Sequence, residues 1–149
     1  MNRRLFLYAA AAAAFAPVCS FAESPIREMG AAEAREAAIA GDLVLLDIRR
    51  PDEWAQTGVG DVALEADMTS EDFGRILFEA VDGDRNKPVA LICRTGARSS
   101  YLSDVLAKNG FTNIVNVREG MAGSSAGDGW VKKGLPLRQA GEEAGCRTC

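Results

Sequence analysis

Histidine is missing from all 149 residues of this chain. Its absence excludes Ser-His-Asp and Cys-His catalysis and any histidine-based metal site. Cysteine is scarce, confined to Cys19, Cys93, Cys146 and Cys149. Basic charge is in deficit, with 17 Lys and Arg against 21 Asp and Glu and a formal net charge of −4. A nucleic-acid partner, which needs a basic face, is therefore not expected. What is present is the balance of an ordinary globular protein, 48% hydrophobic and 26% charged, in a chain long enough for one domain and too short for two. No internal repeat is visible.

Residues 1–22, "MNRRLFLYAAAAAAFAPVCSFA", combine a basic start, an apolar stretch and a small-residue end, the pattern of an export signal. Arg3 and Arg4 followed by Leu5, Phe6 and Leu7 resemble the twin-arginine type. Cleavage near Ala22 is expected, giving a periplasmic protein. No stable membrane anchor is expected, because the apolar core is mostly alanine and barely reaches spanning length. Val18, before Cys19, is bulkier than the residue a lipoprotein site requires. Loss of Arg3 and Arg4 leaves 15 basic against 21 acidic side chains, a net charge near −6. It also leaves three cysteines, an odd number in an oxidising compartment, so one thiol is a candidate for reactivity.

The rest of the chain alternates strand and helix signals. "SPIREM" suits a short edge strand, and Ala31 to Ala40 is an alanine-rich helix stopped by Gly41. Leu43 to Ile48 is a continuous apolar run ending around Asp47, as in a strand buried on both faces of a parallel sheet. Pro51 opens a short helix through Gln56. Val62 to Leu64 is a weak third strand. Thr69 or Ser70 marks a capped helix running to about Ala80. Val89 to Cys93 and Ile114 to Val117 are further strands. Between them lies a helix from Arg98 to Asn109 with Tyr101, Leu102, Val105 and Leu106 as its apolar face and Gly110 after its end. The expected fold is α/β, a mainly parallel central sheet of about five strands flanked by helices on both faces. From Gln139 onward, "QAGEEAGCRTC" reads as a flexible tail outside a domain of residues 23–138.

Cys93 lies at the carboxyl end of a central strand, immediately before a helix, where open α/β sheets bind ligands. Arg94, Thr95, Gly96, Ala97 and Arg98 follow it directly. Loop amides, the positive end of the following helix and two guanidinium groups all favour a thiolate and any anion beside it. Cys93 is therefore the candidate nucleophile.

Three segments resemble the rhodanese family of sulfurtransferases. "LLDIRRPDEW" is similar to that family's strand ending in Asp-x-Arg and its Pro-x-Glu-aromatic helix, here Asp47, Arg49, Pro51, Glu53 and Trp54. "CRTGARS" resembles its active-site loop, and "GMAGSSAGDGWVKKGLPL" its closing segment, with Gly120, Gly123, Trp130, Gly134 and Pro136. The likeness spans about Ile26 to Leu137. It implies a rhodanese-like fold and a Cys93 persulfide that carries sulfane sulfur from a small anionic donor such as thiosulfate to a thiol acceptor. The amides of Arg94 to Arg98 would hold the persulfide, and Arg94 and Arg98 would attract the donor. No metal or organic cofactor is implied; a redox protein is a further partner to consider. Many relatives carry Gly-His-Ile after the Glu-aromatic helix, whereas this chain has Gly58 and Val59 with no histidine. Asp47, Arg49 and Glu53 read as a supporting ion pair and turn cap, and Trp54 and Trp130 as core.

Two other classes compete. Cysteine phosphatases and arsenate reductases also place Cys and Arg around an anion, but with Cys-x5-Arg spacing. Cys93 and Arg98 stand at Cys-x4-Arg, a smaller loop, and Ile92 stands where the phosphatase pattern has histidine. A non-catalytic persulfide carrier or partner-binding module is the other. Cys146 and Cys149, in "CRTC", have dithiol spacing but too few companions for zinc; they read either as an exposed dithiol or closed disulfide with no part in the chemistry, or as secondary thiols that accept sulfur from Cys93 or protect it.

Overall fold

The computed structural model describes residues 25–145; the expected export signal with Arg3, Arg4, Cys19 and Ala22, and the thiols Cys146 and Cys149, lie outside the described residues. In chain order the elements are β1 (Ile26–Met29), α1 (Ala31–Ala40), β2 (Val44–Asp47), α2 (Pro51–Thr57), β3 (Val59–Gly60), β4 (Leu64–Glu65), α3 (Phe73–Ala80), β5 (Val89–Ile92), α4 (Ala97–Lys108), β6 (Ile114–Val117) and β7 (Leu137–Arg138). Five strands form one sheet in the order β1-β6-β5-β2-β4. Every pairing in it is parallel. The three middle strands are those read as continuous apolar runs, because a strand covered on both faces has no solvent side to make polar.

Alternation along each strand divides the core in two. Leu45, Ala90, Ile92, Val115 and Val117 face Ala31, Ala34 and Ala38 of α1 and Trp54 of α2. Leu46, Val89, Leu91 and Ile114 face Leu77 of α3 and Leu102 and Leu106 of α4. Helices thus cover both faces. The alanines of α1 let its backbone lie close on the sheet, and Gly41, at φ 80°, ends the helix in the left-handed conformation that favours glycine.

Four details depart from the sequence reading. The weak third strand lies one step on, at Leu64–Glu65, beside β2. Val59–Gly60 pairs antiparallel with Leu137–Arg138 in a second, two-stranded sheet. The helix after Thr69 begins only at Phe73 with no side-chain cap. Asp67 Oδ1 instead accepts from the Thr69 amide at 2.9 Å, and Ser70 Oγ from the Asp72 amide at 3.2 Å, so these residues build the preceding turn. In α4 the buried positions are Ser99, Leu102, Ser103 and Leu106, and Tyr101 is 65% exposed. That set has helical i, i+3, i+4, i+7 spacing, rotated from the face the apolar residues suggested.

The segment after Gln139 is tied down at its start. Gly141 N donates to Glu65 Oε1 at 2.8 Å, and Gly145 N to Asp61 O at 2.7 Å. Among the described residues no helix is long and apolar enough to cross a membrane.

Candidate active site

β5 delivers Cys93 to the carboxyl edge of the sheet, and the chain turns into α4 within three residues. Gly96 makes that turn possible. Its φ is 87°, and a Cβ there would stand 2.3 Å from the Arg118 carbonyl oxygen, so no other residue fits. The loop after β6 closes on the turn from the other side. Met121 N donates to Cys93 O and Ala122 N to Arg94 O, each at 2.9 Å. Gly120 allows this approach: at φ 67°, its Cβ would meet Arg94 O at 2.5 Å. The cysteine loop is therefore clamped by backbone on two sides.

The sulfur sits at the bottom of this cradle. Cys93 is 1% exposed, and its Sγ receives the Gly96 amide at 3.2 Å and the Ser99 amide at 3.4 Å. These donors belong to the first turn of α4, where amides lack partners within the helix and the helix dipole is positive. Two N–H groups aimed at one sulfur stabilise negative charge on it. Of the amides in Arg94–Arg98, Gly96 donates to Sγ; the second donor, Ser99, lies one residue beyond that range. Ser99 Oγ lies 3.5 Å from Sγ and donates to Asn116 Oδ1 at 2.7 Å or to Gly96 O at 3.0 Å. Ser103 Oγ in turn donates to Ser99 O at 2.8 Å. Sequence reading did not reach Ser99 or Asn116. The available signal was a lone amide side chain in the otherwise apolar run of β6, which a buried strand tolerates only when it is hydrogen-bonded.

The two arginines of the loop differ. Arg98 is engaged: its Nη1 and Nη2 donate to the Glu53 carboxylate at 2.7 and 2.6 Å. This bond pulls the Glu53 pKa down from 4.5 to about 2, against the upward push of burial and with help from the Arg50 amide. The same bond raises Arg98. Arg94 and Thr95 are exposed, and the Arg94 guanidinium has no acidic partner among the described residues. Behind them Arg49 grips Asp47 through Nε at 2.9 Å and Nη2 at 2.6 Å. Its remaining N–H groups reach Thr57 Oγ1 at 2.7 Å and Gly58 O at 2.8 Å. Asp47 and Arg49 are 0% and 2% exposed, so this pair ties β2 to the end of α2. Trp54 and Trp130 are both buried in the core.

Among the described residues no cluster of three or more cysteine or acidic side chains is arranged to hold a metal ion. The chemistry on offer is a buried sulfur that receives two backbone N–H groups, in a loop that also carries two arginines.

A family model for the rhodanese-like domain matches residues 30–126. The chain belongs to the rhodanese-like domain family. Among curated proteins, a thiosulfate sulfurtransferase, GlpE, of Actinobacillus pleuropneumoniae serotype 7 is 31% identical over 96 residues, covering 64% of this chain and 78% of that one. An uncharacterised protein of Rickettsia prowazekii is 28% identical over 102 residues, 62% of this chain and 80% of its own. Among solved structures, the polysulfide-sulfur transferase homodimer of Wolinella succinogenes superposes with a TM-score of 0.61 at 27% identity, covering 80% of this chain and 82% of that one. The family and fold are those the three motifs implied, and sulfurtransferases are among its relatives.

Proposed function

We propose that this protein is a sulfurtransferase that moves sulfane sulfur from an anionic donor such as thiosulfate to a nucleophilic acceptor through a persulfide on Cys93. The observation that carries this reading is the pair of amides, Gly96 and Ser99, aimed at a sulfur that is otherwise buried. In the loading step the Cys93 thiolate attacks the outer sulfur of thiosulfate. The S–S bond of the donor breaks, sulfite leaves with the electron pair, and Cys93 carries a persulfide anion. In the unloading step an acceptor thiolate takes the outer sulfur and Cys93 departs as thiolate. Negative charge returns to Sγ in that step, where the Gly96 and Ser99 N–H groups and the Ser99 hydroxyl can stabilise it. No net oxidation occurs, and no cofactor enters.

Arg94 is the cation free to draw in the donor; Arg98 must first loosen from Glu53. That engagement also argues against a phosphatase, which needs an uncommitted guanidinium facing the phosphate. Residues 1–22 would direct the protein to the periplasm, and the appearance of a shortened chain in a periplasmic fraction would support it. The deciding experiment incubates the protein with thiosulfate, follows sulfite release, and weighs the intact protein for one added sulfur atom. Cys93→Ser is expected to lose both signals. A variant that still transfers sulfur would move the chemistry to Cys146 or Cys149. Loading without turnover to any thiol would favour the carrier reading.

A further inference from the structure

Beside the cysteine loop opens a cleft of about 350 Å³. Met121, Ala122, Val131, Glu53, Gln56 and Arg94 are among the residues that line it. Its Met121 and Ala122 are the residues whose amides hold the Cys93 and Arg94 carbonyls, so the cleft adjoins the cysteine loop directly. The volume is large for thiosulfate. A water takes about 30 Å³ of liquid, and a compact dianion a few times that. Thiosulfate would leave most of the cleft empty, and its charge would face the carboxylate of Glu53 and the side chains of Met121 and Val131.

The charge balance is equally specific. Glu53 is neutralised by Arg98, and Lys132, which also lines the cleft, pairs with Asp128, four residues before it, at 2.6 Å on the exposed surface, so its charge is turned toward solvent and that carboxylate. Arg49 is committed to Asp47. One uncommitted guanidinium remains, that of Arg94. One guanidinium without a carboxylate partner, in a lining that also holds Met121, Ala122 and Val131, matches a ligand with one carboxylate and an aliphatic body.

We propose that this cleft selects the acceptor, an aliphatic thiol bearing one carboxylate. Its chain lies on Met121, Ala122 and Val131, its carboxylate meets Arg94, and its thiolate takes the outer sulfur of the Cys93 persulfide. The products are the acceptor's persulfide and the Cys93 thiolate, with one S–S bond broken and one formed. The proposal rests on the reading of Cys93 as the sulfur carrier.

The test loads the whole protein with thiosulfate, removes excess donor, and measures unloading by mercaptopropionate, mercaptohexanoate and mercaptohexanol, separating KM from kcat. Mercaptohexanoate is expected to have the lowest KM, with each methylene buried in the cleft lowering it about fourfold. Arg94→Gln, loaded by prolonged incubation with excess thiosulfate until the intact mass shows one added sulfur, is expected to raise the KM for mercaptohexanoate about fivefold relative to its KM for mercaptohexanol. Val131→Asp is expected to raise both. Equal KM values for the three thiols, unmoved by either substitution, would overturn the proposal while leaving the sulfur-transfer reading intact. Because unloading requires a persulfide, a second measurement uses the unreactive probe (methylthio)hexanoate with Cys93→Ser protein, followed by NMR. Binding weakened by Arg94→Gln supports the cleft's ligand class even if no sulfur is loaded. Absence of binding overturns it.

Discussion

Two arginine–carboxylate pairs of similar bidentate geometry both engage α2, and they differ in what surrounds them. Asp47 and Arg49 are sealed in protein, and every N–H of the guanidinium not spent on the carboxylate has a backbone or hydroxyl acceptor nearby. Glu53 and Arg98 sit at the rim of the cleft, 15% and 33% exposed. Water can take the place of a partner at the rim and cannot do so inside. The first pair is therefore part of the framework, and the second is exchangeable. An arginine in an anion-binding loop is available to substrate only insofar as its resident carboxylate can release it.

The largest expected effect breaks the sealed pair. Asp47→Asn leaves the Arg49 charge buried without its counterion and should destabilise the fold by about 3–5 kcal/mol, read as a fall in the urea midpoint. The equivalent break at the rim, Glu53→Gln, should cost only about 1 kcal/mol, since Arg98 regains solvent. A similar loss from both variants would erase the distinction. The same substitution should lower the KM for thiosulfate several-fold by freeing Arg98, measured as sulfite release at low ionic strength; an unchanged KM would mean that Arg98 takes no part in donor capture.

Acid sharpens the comparison further. The Glu53 carboxyl is held at about 2 in the folded protein against an ordinary 4.5, with the Arg98 hydrogen bonds as the main cause. A depressed carboxyl pKa contributes stability that is fully present above 4.5 and fades as pH falls toward 2. The stability difference between wild type and Glu53→Gln should therefore shrink across that window and be flat above it. The smallest effect belongs to the chain's end. Truncation after Gly145 removes Cys146 and Cys149 while keeping the Gly145 and Gly141 hydrogen bonds. Unchanged turnover with dithiol acceptors would exclude the two thiols from the sulfur path.

Much of this arrangement was legible in the sequence. The central strands announce themselves as apolar runs, and Cys93 is marked by the change from such a run to Arg94-Thr95-Gly96. What stayed hidden depends on distant partners. Val59–Gly60 and Leu137–Arg138 are too short to carry a periodicity, and only their pairing across the chain makes them strands. The inner face of α4 differs from the apolar face of its sequence for a related reason. Tyr101 is the more apolar side chain, yet Ser99 and Ser103 turn inward because Sγ, Asn116 and a helix carbonyl satisfy their hydroxyls. Hydrophobicity orders residues by their liking for oil; it does not record that a polar core position already has a donor or acceptor waiting. The commitment of Arg98 to Glu53 was similarly invisible, since the two are 45 positions apart.

The fit of Gly96 against the Arg118 carbonyl, 2.3 Å from where a methyl would stand, has a consequence for redesign. Any side chain at position 96 would meet the backbone that follows β6, so a redesign of the cysteine loop that replaces this glycine must move residues 118–123 with it. The shape of the cysteine loop is thus held as much by residues 118–122 as by its own sequence.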